Sequence, residues 1–112
     1  MAGQIPESDW RVLRDLRKLA LDRFCQRLLA EVEHIISTHT ESHHERFLKT
    51  FHLMMERNRQ LGHAFDDLRR SNALVKLIAI RSHDLLTDEE FSRFNFETRD
   101  TINRCLQSDL YK

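Results

Sequence analysis

From Trp10 to Ser37 the chain contains neither glycine nor proline, and apolar residues recur through it at helical spacing. Pro6, Ser8 and Asp9 stand where a helix should begin, with Ser8 as N-cap and Asp9 at the positive end of the helix dipole. The first break comes at Ser37-Thr38-His39-Thr40. The expected helix has about 30 residues and is near 45 Å long, at about 1.5 Å per residue. Two glycines and one proline in 112 residues are too few for a turn-rich β architecture, so the chain is read as all-α.

The apolar pattern of this first helix changes direction along its length. Val12, Leu13, Leu16, Leu19 and Ala20 cluster on one side. Phe24, Cys25, Leu28, Leu29, Val32, Ile35 and Ile36, joined by Trp10 and Leu21, cluster on another, rotated by roughly 150°. A coiled-coil heptad drifts only about 20° per repeat on a straight helix, so this is not a simple coiled-coil seam. Either the helix bends near residues 20–23, or its halves bury opposite faces against different neighbours. The second explanation is favoured.

Ser42-His43-His44-Glu45 reads as a capping box that opens a second helix over residues 42–68. Its stripe of Phe47, Phe51, Met54, Asn58, Leu61, Phe65 and Leu68 steps by four and three, as expected of a helix packed antiparallel on a neighbour. Asn58 either fixes register in that seam or lies at its edge in water, and Gly62 marks a possible close approach of helices. A buried helix over about 72–83 follows. The aliphatic run Ala73–Ile80 could be a strand, but no second strand exists to pair with it. Thr87 to Glu90 forms another capping box, and Asn95 can cap a last helix carrying Thr98, Ile102, Cys105 and Leu106. The expected fold is a long antiparallel helical hairpin plus three short helices in a small bundle. Residues 1–7 are expected to be a disordered lead, 8–108 a single helical domain and 109–112 a frayed tail.

Charge narrows the function. Lysine plus arginine equals aspartate plus glutamate at 18 each, without the basic excess of a dedicated nucleic-acid or membrane-surface binder. Cys25 and Cys105 sit in apolar helical contexts, where free cysteine behaves as a small hydrophobe. The N-terminus has no basic and apolar leader, and no run approaches the ~18 apolar residues of a membrane span. A cytoplasmic protein without membrane association is expected.

Three constellations invite a chemical reading. The Glu-x-x-His spacings Glu31/His34 and Glu41/His44 have the form used by metal-binding bundles, but they flank one tight connection and lack further mid-helix glutamates. Arg11, Arg14, Arg17, Lys18, Arg23 and Arg27 make a cationic stripe, interleaved with Asp9, Asp15 and Asp22 as on an ordinary solvated helix face. Arg69 and Arg70, beside an expected helix start, could hold an anion, although Asp66 and Asp67 adjoin them. Ser82, His83 and Asp84 are sequence neighbours, so on a helix they point apart and cannot form a triad. No glycine-rich phosphate loop, GxSxG or CxxC occurs, and neither an enzyme nor a bound cofactor is expected.

The expectation is therefore a small interaction or regulatory protein, acting as a homodimer or docking on a protein partner. The candidate interface is Trp10, Leu21, Cys25, Leu29, Val32 and Ile36, because two opposed apolar faces exceed what a thin domain easily covers. The alternatives are a nucleic-acid-associated protein using the arginine stripe, and a metal-binding protein using the Glu-x-x-His pairs. The acid-rich stretch 84–100 is also expected to dock on the basic first helix, within one chain or between two.

Overall fold

The computed structural model describes residues 4–108. Among them the elements are α1 Glu7–Ser37, α2 His43–Phe65, a 3-10 turn Arg70–Asn72, α3 Ala73–Ser82, α4 Asp88–Phe91 and α5 Phe96–Gln107. No strand occurs among the described residues, and the fold is all-α with a long first helix. The expected tail at 109–112 and the first three residues of the expected lead lie outside the described residues.

The rest of that lead is packed. Ile5 is 3% exposed, and its carbonyl accepts from Arg70 Nε at 3.2 Å. Burying an isoleucine stabilises by about 2 kcal/mol, enough to order a short segment anchored to a helix. Helix α1 starts two residues earlier than expected, with Pro6 rather than Ser8 at the cap and the Pro6 carbonyl accepting from Trp10 N–H at 3.0 Å. Asp9 lies in the first turn of α1, at the positive end of its dipole as expected, and has a further role. Its side chain turns inward, and the residue is only 1% exposed. The carboxylate accepts from Asn95 N–H at 2.9 Å and from the Thr98 hydroxyl at 2.5 Å. It thereby ties the start of α1 to the start of α5, where Asn95 Oδ1 also caps Thr98 N–H.

Most local signals behave as their chemistry dictates. Ser42 Oγ accepts from Glu45 N–H, although the Glu45 carboxylate meets the Ser42 hydroxyl rather than its backbone. Thr87 and Glu90 form the complete reciprocal box. Helix α2 ends at Phe65, three residues before the expected 68, because the backbone turns extended at Asp66 (ψ 149°) and left-handed at Asp67 (φ 55°). At Gly62 an added Cβ would meet only the mobile end of the Asp66 side chain, at 3.0 Å, so the glycine does not mark a close helix crossing. Helix α3 ends at Ser82, and Asp84 beyond its cap takes the left-handed conformation (φ 56°) that glycine usually fills, with Leu85 N–H returning to Ile80 O.

The molecule divides into a head and an arm. In the head, Leu13, Leu16, Ala20 and Phe24 of α1 pack with Phe65, Leu77, Ile80, Leu85, Phe94 and Ile102. Phe24 meets Phe65 edge-on at 6.4 Å. The arm is the remainder of the α1–α2 hairpin, and not one of residues 25–63 is buried. The protrusion shows in the dimensions, 54 × 29 × 25 Å, and in a radius of gyration of 16.6 Å. A compact chain of this length would have about 13 Å.

A candidate interaction face on the helical arm

Polar side chains mark which sides of the two arm helices meet. Arg57 donates to both oxygens of Glu31, at 3.0 and 2.9 Å, bridging α2 to α1. Arg46 donates to the Ile36 carbonyl near the end of α1. These residues, with Thr50 and Leu53 between them, recur at four-three-four spacing and are all half-buried. They, and not the aromatic stripe, face α1. Across from them Leu28, Glu31, Val32 and Ile35 are likewise half-buried. The guanidinium of Arg57 holds the Glu31 carboxyl below its ordinary pKa, opposed by partial burial.

The upper part of the expected α2 seam is consequently left uncovered. Phe47 is 62% exposed, Phe51 49% and Met54 50%, while Asn58 stands in water. The same stripe closes only at the head, where Leu61 and Leu68 are half-buried and Phe65 is 1% exposed. Phe47 and Phe51 stack on one another at 6.4 Å. On the neighbouring helix Leu29 and Ile36 are equally open, at 62% and 54%. A groove of about 290 Å³ runs between Ile36, His43, Arg46, Phe47 and Thr50, joining the two helices' apolar residues on one side of the arm. The halves of α1 do meet different neighbours, the head and α2. Of the second apolar direction, Phe24 is buried in the head and Leu28, Val32 and Ile35 are half-buried on the side that meets α2, while Leu29 and Ile36 stay open.

The residues singled out from sequence divide accordingly. Leu29 and Ile36 belong to the open face, with Cys25 and Val32 half-buried at its margin. Trp10 and Leu21 pack against the head core, Trp10 also lying under the Arg14 guanidinium at 5.6 Å. Phe47, Phe51, Met54 and Met55 were assigned to no interface by their spacing, which reads equally well as an intrachain seam. The informative signal was the second register on α2, Arg46-Thr50-Leu53-Arg57, with an arginine able to reach Glu31.

The candidate ion sites are occupied by partners within the chain. Glu31 pairs with Arg57 and Glu41 with Lys49, while His34 and His44 are exposed. Among the described residues no three histidine, cysteine, aspartate or glutamate side chains converge as a metal site requires. Arg69 pairs with Asp67. Arg70 pairs with Glu7 and donates to Ile5 O. Both arginines lie at the 3-10 turn that leads into α3, and their guanidinium groups are held by these intrachain partners.

Much of the arginine stripe is spent on holding the head together. Arg11 pairs with Glu7, and Arg17 donates to Phe65 O at 2.9 Å. Arg27 donates to the carbonyls of His83 and Asp84, clamping the left-handed turn that ends α3. Arg23 forms a two-point pair with Glu90, at 2.6 and 2.9 Å, and also donates to Leu85 O. That guanidinium lowers the Glu90 pKa to about 2, aided by Thr87 and opposed by burial. Of the acids in residues 84–100, Glu90 pairs with the first helix within one chain, whereas Asp88 and Asp100 pair with Arg81 and Arg104, and Arg93 pairs in the opposite sense with Asp15 of α1. At the junction of head and arm, His83 lines a cavity of about 290 Å³ with Phe24, Arg27, Glu31, Arg57 and Gln60. Burial, then the positive charges of His63, Arg57 and Arg27, push its pKa down.

These elements define an all-α protein in which a packed head carries a projecting helical hairpin with one open apolar side. Comparison with known proteins gave no matching family, no matching curated protein and no matching solved structure. Among the described residues no helix is long and apolar enough to cross a membrane.

Proposed function

We propose that the protein is a non-enzymatic helical interaction protein whose head holds out the arm so that its open face can dock on a protein partner. One observation carries the reading. Residues 25–63 include no buried residue, yet Leu29, Ile36, Phe47, Phe51, Met54 and Met55 are each about half exposed or more. Single exposed hydrophobes are ordinary, whereas a contiguous rimmed patch marks a contact surface. The intrachain use of Arg11, Arg17, Arg23 and Arg27 weighs against the nucleic-acid alternative. The pairing of Glu31 and Glu41 with basic residues weighs against the metal-binding alternative.

Photo-crosslinking in cells that make the protein tests the reading. A benzophenone side chain at Phe51 should yield protein adducts. One at Phe96, which is 69% exposed on the head, should not. Equal labelling from both positions, or none from Phe51, would overturn it.

A further inference from the structure

We infer that the partner on the arm is a second copy of the same chain, and that two arms pair face to face as a four-helix bundle; this rests on the interaction reading above. The first argument is area. Large apolar side chains expose on the order of 100 Å² each when half uncovered, so the six open residues offer roughly 600 Å² per chain. A stable protein–protein interface takes about 800 Å² from each side, and the margins of the face supply the remainder. The face thus has the size of a dimer contact and the shape of one. Two antiparallel helices with a common open side are one half of a four-helix bundle, and an identical hairpin matches that side in length.

The second argument is symmetry. A two-fold axis parallel to the arm sets each α1 against the partner's α2, so the two open sides meet along their length. Self-association also meets no long-range repulsion, since 18 cationic residues balance 18 anionic ones.

Sedimentation equilibrium of the full chain at micromolar concentration tests the proposal. The wild type should have the mass of two chains. Phe51→Glu and, independently, Ile36→Glu should each weaken association at least 100-fold while keeping the far-ultraviolet circular dichroism of a helical protein. Both residues are exposed in the single chain, so neither substitution removes a core contact. Phe96→Ser on the head should leave the mass unchanged. A monomeric wild type, or a dimer insensitive to both arm variants, overturns self-pairing. A monomeric wild type whose arm still gives adducts with a different protein sinks self-pairing alone. Absence of any adduct from Phe51 sinks the interaction reading with it.

Discussion

Head and arm are built from the same two long helices, yet they are stabilised differently. In the head, α1 and α2 meet α3, α4 and α5, so Leu13, Ala20 and Phe65 are covered from several directions and no more than 1% exposed. In the arm each helix has one neighbour, and a two-helix contact can cover only one side of each. The sides that meet there are partly polar, held by Glu31–Arg57 and by Arg46 on the end of α1. Two layers of helix can make a core only when a third element, or a second molecule, closes the remaining side. The head has that closure in its own chain, and the arm does not.

The largest expected contrast is in aromatic truncation. Phe65→Ala should cost about 3–5 kcal/mol by opening a cavity in the head. Phe51→Ala should change the unfolding free energy of the isolated chain by less than about 0.5 kcal/mol. Urea unfolding of both variants, at concentrations low enough to keep the chain single, checks this. Similar losses at the two sites would erase the distinction between the regions.

Asp9 should come next. Asp9→Ala leaves Asn95 N–H and the Thr98 hydroxyl without their buried acceptor, for a loss of about 2 kcal/mol. Hydrogen exchange should then accelerate first at the start of α5, with the arm unaffected.

Acid should also act on the head. Glu90 has its pKa lowered to about 2 from an ordinary value of 4.5, so its pair with Arg23 contributes fully above pH 4.5. The contribution is lost as pH falls from there toward 2. The side chain is 19% exposed, and about 2 kcal/mol is a reasonable size after allowing for solvent screening. Glu90→Gln should lower stability at pH 7 and remove that part of the acid dependence. An unchanged dependence would relocate the acid-sensitive contact elsewhere.

The smallest effect belongs to the arm. Glu31 and Arg57 are 41% and 30% exposed at the side chain, so Glu31→Gln should cost about 0.5–1 kcal/mol. Its signature should be faster amide exchange confined to residues of the arm, since local opening there need not disturb the head.

How far the sequence could be read follows from the range of the forces involved. Ser42, Thr87 and Asn95 were legible as caps because a cap acts over three residues, and the structure forms all three. Ala73–Ile80 was legible as helix because no strand could partner it. The tie from Asp9 to α5 was not legible, because the Asn95 N–H and Thr98 hydroxyl that donate to its carboxylate lie 86 and 89 residues away and nothing local announces them. The Arg23–Glu90 pair was visible only as a general charge asymmetry.

The long first helix was determined by sequence alone, through the absence of breakers from Trp10 to Ser37 and the recurrence of apolar residues within them. So was the presence of more apolar direction than one neighbour could cover. Only the tertiary structure decided which direction stays open. Helical periodicity places Phe47, Phe51 and Met54 on one stripe, but it cannot say whether that stripe or the one through Arg46, Thr50, Leu53 and Arg57 meets α1. Side-chain pairing across the hairpin marks that choice, with Arg57 on Glu31 on the contact side and the aromatic stripe turned outward.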